Sequence, residues 1–184
     1  MAERSGVSGV SGGPALRLRE AADTDAPALL RWRNDPDTRR WSRTTDPVAL
    51  PEHRAWLSRV LASPDRLLLV AESAGTAGAE LVEEPVGMVR FDDAGEGCWE
   101  VSIAVAPEHR GRGLAAPLLA EGERQLRHRH RPGTVVAVLA VVHRDNAASV
   151  ALFEAAGYRP DGVADAAGDF LRFVRAQSID GSER

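Results

Sequence analysis

The chain has 184 residues, 27 acidic and 23 basic, and every basic residue is Arg, for a formal net charge of −4. That length suits one compact domain with its own core, and the mild acidity argues against a general nucleic-acid or polyanion binder while leaving room for a local Arg cluster that grips phosphate. The single Cys, Cys98, excludes an intrachain disulfide framework, and the longest apolar run, Val135 to Val142, falls far short of the ~20 residues a membrane helix takes.

Residues 1–14 are rich in Gly and Ser with little apolar bulk, which predicts a disordered tail ahead of a single domain over 15–178 and a flexible end at 179–184. Leu16 and Leu18 alternate with Arg17 and Arg19, the period of a strand. Asp23 or Thr24 offers a helix cap, Pro27 suits a first turn, and Leu29, Leu30 and Trp32 form an apolar stripe. This helix is predicted to stop near Asn34-Asp35, because a residue before Pro36 avoids the helical region. Residues 33–50 read as irregular and dense in Arg and Trp. A second helix is predicted over Pro51 to Ala62, with Trp56, Leu57, Val60 and Leu61 as its apolar face. Leu67 to Ala71 reads as a buried strand punctuated by Gly75 to Gly78. Two further strands, Pro85 to Phe91 and Cys98 to Ala106, flank a turn over Asp92 to Gly97. Then follow a helix over Leu114 to Arg127, a β-branched strand over Thr134 to Val142, a helix over Asn146 to Ala156 closed by Gly157, and a hairpin that includes Phe170 to Val174. This order predicts an α/β layer with a mixed sheet.

The strongest chemical signal runs from Val101 to Leu119, where a strand enters a Gly-rich turn that opens a helix. Gly111 and Gly113 let a ligand approach the backbone, and the free N–H groups around Arg112 to Ala115, with the helix dipole, attract an anion. The pattern predicts a phosphate or pyrophosphate site, or else an ordinary tightly packed corner. Neither Gly-x-Gly-x-x-Gly nor Gly-Lys-Ser/Thr occurs.

Arg110-Gly-Arg-Gly-Leu-Ala115 resembles the Arg/Gln-x-x-Gly-x-Gly/Ala signature of the GNAT superfamily of N-acetyltransferases. After one helix and one strand, Asn146-Ala-Ala-Ser-Val-Ala-Leu-Phe-Glu-Ala-Ala-Gly-Tyr158 resembles that superfamily's second motif. Nearer the start, Leu30-Arg-Trp-Arg-Asn-Asp-Pro and Glu52-His-Arg-Ala-Trp-Leu57 resemble a subgroup that includes the pseudaminic-acid pathway enzymes, which acetylate a UDP-linked amino sugar.

The resemblance implies a GNAT fold: an α/β architecture with a mixed, mostly antiparallel central sheet flanked by helices and splayed fourth and fifth strands. It implies acetyl-CoA as co-substrate in the split. Carried onto this chain, the backbone of Ile103 and Val105, with Ala104 between them, would pair with the pantetheine arm. Arg110, Gly111, Arg112, Gly113, Leu114 and Ala115 would hold the pyrophosphate. Asn146 would contact the arm or its thioester end, and Ser149 and Phe153 would line the channel. Transfer to an amine needs a base, because an ammonium with a pKa near ~10 leaves little neutral amine at neutral pH. Glu100 is the candidate, with Ser102 on the same strand face toward the acceptor; a surface ion pair is the alternative. Phe153 occupies the position where many relatives carry a Tyr acid, and Tyr158 falls on a packing position.

Arg31, Arg33, Arg39, Arg40 and Arg43, interleaved with Trp32 and Trp41, make a patch suited to phosphate, carboxylate or ring stacking. One or two of them, Arg33 or Arg39, are expected to touch the acceptor, and the rest to form a solvated helix face with the Trp side chains as anchors. Asn34 either closes the cleft or stops a helix, and His53, in the helix that would cover the acceptor, either binds it or is structural. The run Arg127 to Arg131 either reaches a CoA phosphate or complements a helix end. His109, His128 and His130 lack metal-ligand spacing, so no metal is expected. The reading is a cytoplasmic, bacterial enzyme, monomer or homodimer, acting on a small-molecule amine, with no nucleic-acid or membrane partner. The alternatives are a protein N-terminal acetyltransferase of the ribosomal-protein-alanine type and a non-catalytic acyl-CoA sensor.

Overall fold

The computed structural model describes residues 16–77, 80–130 and 135–178, so the expectations for residues 1–14 and 179–184 lie outside the described residues. The elements in chain order are β1 (Leu16–Glu20), α1 (Ala26–Asn34), α2 (Pro36–Arg40), α3 (Leu50–Leu61), β2 (Arg66–Ala77), β3 (Glu80–Gly95), β4 (Cys98–Val105), α4 (Ala115–His128), β5 (Val135–His143), α5 (Ala147–Ala155), β6 (Arg159–Val163) and β7 (Phe170–Ser178). Among the described residues no helix is long and apolar enough to cross a membrane.

The segment read as irregular contains α2. Pro36 ends one helix and opens the next, since its missing N–H costs nothing at a first helical position. Asp35 caps the new turn, its carboxylate accepting the Thr38 N–H at 3.0 Å. Asp23 and Thr24 fall in a short 3-10 turn, and α1 begins three residues later than the cap expected at Asp23. β2 runs on through Gly75 because it pairs with β3 from Arg66↔Asp92 to Ala77↔Glu80, so the ladder overrides the local punctuation. The turn expected over Asp92 to Gly97 shrinks accordingly, since β3 continues to Gly95.

The seven strands form one sheet in the order β1-β2-β3-β4-β5-β7-β6. Every neighbouring pair is antiparallel except β4 and β5. Strand alternation divides the apolar side chains between two faces. Leu69, Val89, Phe91, Val101, Val138 and Ala140 pack against Leu118, Leu119 and Leu126 of α4 and Phe153 of α5. Leu68 and Val70 pack on the other face against Leu29, Trp32, Leu57 and Val60 of α1 and α3. Gly122 lets α4 close on β3, for a Cβ there would stand 2.6 Å from Val89 Cγ1.

Two ionic clusters pin the layers. Arg19 joins Asp25 at 2.8 Å and Glu72 at 2.6 Å, tying β1 to the start of α1 and to β2. The buried Glu123 of α4 accepts the Tyr158 hydroxyl at 2.6 Å and Arg175 of β7 at 2.9 Å.

β4 and β5 pair only from Cys98↔Ala137 to Val101↔Ala140. Beyond that point they diverge, and the edge of β4 facing β5 is left without a strand partner from Ser102 to Val105. This split positions the site.

Candidate active site

A cleft of about 900 Å³ opens between the diverging strands. Its walls are β4 from Glu100 to Val105, the Gly-rich loop, the end of β5 from Val141 to His143, and the start of α5. Arg33, Trp41 and Arg43 close it from the α1–α3 side.

The Gly-rich loop is shaped by two left-handed residues, Gly111 at φ +73° and Gly113 at φ +74°. An L side chain at either position would carry strain, so only Gly turns the chain sharply here without cost. α4 then starts with no side chain capping its first turn and no acidic residue there. Its leading N–H groups are therefore free for an anion at the mouth of the cleft. The two loop arginines are placed otherwise than expected. Arg110 lines the cleft, but its guanidinium donates to Asp35 Oδ2 at 2.7 Å and Thr38 Oγ1 at 2.9 Å, with Asp37 at 3.5 Å. Burial pushes Asp35 up, yet the bonds from Arg110 and Thr38 outweigh it and hold its carboxyl below the usual range. Arg112 turns away from the cleft and donates to the Glu108 carbonyl at 3.0 Å, with His109 Nδ1 at 3.3 Å.

Residues 15–159 match the family described as acetyltransferase (GNAT) domain. The chain belongs to the GNAT acetyltransferases. Similar solved structures include spermidine N-acetyltransferase from Vibrio cholerae in complex with CoA and spermine, at 18% identity and a TM-score of 0.74 over 88% of this chain and 95% of that one. Ribosomal-protein-alanine N-acetyltransferase from Brucella melitensis is similar at 24% identity and 0.65 over 88% and 99%. The yncA protein from Salmonella typhimurium, solved with its cofactor acetyl-CoA, is similar at 19% identity and 0.65 over 92% and 97%. No curated protein sequence matches the chain.

GNAT enzymes use acetyl-CoA, and this chain's residues fit it. The unpaired edge of β4 leaves backbone groups for an extended arm, and the uncapped start of α4 suits a pyrophosphate. Ile103, Ala104, Val105, Gly111, Gly113, Leu114, Ala115, Asn146, Ser149 and Phe153 all line the cleft. Asn146 is also the cap of α5, its Oδ1 accepting the Ser149 N–H at 3.1 Å.

On the acceptor side, Glu100 and Ser102 line the cleft, and Arg43 stands 3.7 Å from Glu100 Oε1. Arg33 also lines it and donates to the Thr44 carbonyl at 2.8 Å. Asn34, Arg39 and His53 do not line it. Asn34 clamps Val48 through both its amide ends at 2.8 Å. Arg39 holds the carbonyls of Asn34 and Thr45. His53 is buried beside Trp56, and burial together with the Arg33 charge pushes its pKa down. Asn34 and Arg39 thus hold the segment 41–49 through Val48 and Thr45.

Phe153 is 3% exposed, with its ring 5.0 Å from Tyr158. Tyr158 cannot replace it as an acid. Burial and the neighbouring Glu123 push the phenol upward, so it keeps its proton, and its O–H donates to the Glu123 carboxylate. Glu84 of β3 comes within 4.8 Å of the adjacent Glu108 and His109, an approach that spacing in sequence does not reveal. Arg31 at 2.6 Å from Glu108 and Arg112 beside His109 already answer that cluster.

Trp41, expected in the Arg-rich patch, does line the cleft, whereas sequence reasoning missed Arg90, His143 and Phe170. For His143 a signal existed: it ends the strand before the second motif, in step with Leu139 and Val141 on the face of Glu100.

Proposed function

We propose that this GNAT enzyme transfers an acetyl group directly to the neutral amine of a small acceptor that also carries an anionic group, with a nucleotide-linked amino sugar as the best match. The observation that carries this reading is that Arg33, Arg43 and Arg90 line the same cleft as Glu100, Arg43 at 3.7 Å from it and Arg90 held by Asp92 at 2.8 Å. Guanidinium groups favour phosphate or carboxylate and repel a polyamine. Acetyl-CoA supplies the activated acetyl thioester. Glu100 takes a proton from the acceptor ammonium, directly or through one water. A free N–H on the open edge of β4 steadies the charge that develops on the carbonyl oxygen. The main-chain amides opening α4 hold the pyrophosphate. No acid is needed at Phe153, because a thiol with a pKa near ~8.5 leaves readily as thiolate and takes its proton from water.

Phe153 is also the observation that favours a second reading, a domain that binds acyl-CoA without turnover. A thiol-release assay with acetyl-CoA and a panel of UDP-linked amino sugars, spermidine and Ala-terminated peptides separates the readings. Turnover fastest on the amino sugars is expected. Preference for spermidine or peptides would overturn the acceptor class, and CoA binding without thiol release on any amine would establish the sensor.

A further inference from the structure

We infer that His143 is an acceptor-positioning residue, presenting its Nε2–H to an oxygen of the acceptor on the arm of the split opposite Glu100. This rests on the direct-transfer reading above.

β5 leaves β4 after Ala140, stays paired with β7, and ends at His143. Ala140 and Val142 turn into the buried core, so alternation puts Val141 and His143 on the other face. Leu139 shares that face and pairs with Glu100 in the parallel ladder. Glu100, on the last paired stretch of β4, and His143, beyond the parting on β5, thus lie on one face of the sheet, and both line the cleft.

The imidazole is fixed by three separate elements. Its cross-strand partner Phe170 meets it edge-on at 5.3 Å, and Trp41, which follows α2, lies 5.3 Å away on a tilted plane. The Asp145 N–H donates to Nδ1 at 3.2 Å, inside hydrogen-bond reach, whereas the Asp145 carboxylate stands farther off at 4.0 Å, so Nδ1 acts as an acceptor. The neutral ring then carries its proton on Nε2. Among the described residues no side chain or backbone group takes that Nε2–H, and the atom is not sealed inside the protein.

Two consequences follow for the chemistry. A ring protonated at Nε2 is a donor toward the cleft and cannot take the ammonium proton there, which leaves that role to Glu100. A donor set beside the Trp41 ring, over which the Arg40 guanidinium also lies at 4.6 Å, suits an acceptor with an oxygen, as hydroxyl, carboxylate or phosphate. A bare alkyl polyamine offers no such oxygen.

The test uses the full chain with acetyl-CoA, a UDP-linked amino sugar and two variants. His143→Phe keeps a ring between Trp41 and Phe170 but removes the donor, whereas His143→Gln restores an N–H donor. Expected is a rise in acceptor KM of about three- to tenfold for Phe, the size of one lost hydrogen bond, with kcat and CoA affinity little changed and partial recovery for Gln. An unchanged KM, or a loss confined to kcat, would overturn the proposal. A second readout stands apart from turnover. The side-chain ¹⁵N spectrum of His143 should show the Nε2–H tautomer and shift when the amino sugar is added. A proton on Nδ1, or no response to that ligand, would also overturn it. Failure of the wild type to release thiol with any amine would instead strike the direct-transfer reading, so the two failures are distinct.

Discussion

Glu100 illustrates what a single position discloses and what it hides. Its place on the cleft face follows from alternation along Cys98–Val105, which the sequence already displays. Its neighbour Arg43 comes from a loop 57 positions earlier, at 3.7 Å, which no local pattern reveals. If Glu100 takes the ammonium proton, Glu100→Gln should lower kcat by at least about a hundredfold while CoA affinity stays at the wild-type value. Steady-state kinetics with calorimetric CoA titration checks this, and unaltered turnover would remove Glu100 as base. Glu123 makes a different case. It is 2% exposed, and its charge is answered only by Tyr158 and Arg175 among the described residues. Arg175→Met leaves that carboxylate half-answered. Because Arg175 itself is partly solvated, the cost should be about 2 kcal/mol rather than that of a fully buried pair, a fall in Tm of roughly 4–8 °C by calorimetry.

At the scale of elements, α2 and the Gly-rich loop act together. Asp35 caps α2 through the Thr38 N–H and receives Arg110 on the same oxygen. That joins the loop expected to hold pyrophosphate to the elbow that carries Trp41. Nothing in the motif around Arg110 announces a partner 75 residues earlier, which is why the loop was legible as a loop but the work of its arginine was not. The helices and strands themselves were legible where apolar periodicity was strong, as in α3, α4 and β5. They were not where a tertiary ladder extended a strand through Gly75, or where Pro36 both stopped and started a helix. Because Arg110 is held by α2, Arg110→Met should cost about 1 kcal/mol of stability and change CoA affinity by less than about threefold. Asp35→Ala should cost slightly more, since it also removes a cap. The double variant should cost less than the sum, because both single changes break one bridge. Melting curves and CoA titrations of the three proteins check this. A drop in CoA affinity of more than tenfold for Arg110→Met alone would assign its guanidinium to the phosphates.

At the scale of the molecule, acid should weaken the fold in two stages. Burial and the Arg33 charge hold His53 below its ordinary pKa, so the unfolded chain binds that proton first and stability starts to fall as pH drops below about 6.5. Burial raises Asp25, but Arg19 and the Ala22 N–H outweigh it, and Asp35 is likewise held low by Arg110. Their contribution is complete above the ordinary carboxylate pKa of about 4 and is lost as pH falls through their lower folded values. Tm followed from pH 8 to 3 should be flat, then slope, then steepen, and His53→Gln should erase the first slope. The split sheet makes the last expectation. β4 keeps β3 from Cys98 to Val105, whereas it keeps β5 only to Val101. Amides facing the gap from Ser102 to Val105 exchange with solvent from an open edge, and those opening α4 have no cap. A bound pantetheine arm and pyrophosphate would cover both at once. Hydrogen exchange on the intact protein should therefore slow on adding CoA across Ser102–Val105 and over the loop from Gly111 to Ala115, while the exposed edge strand β6 stays unchanged. Protection at the loop without protection on β4 would place the nucleotide but not the arm, and the split would then be a packing irregularity rather than the seat of transfer.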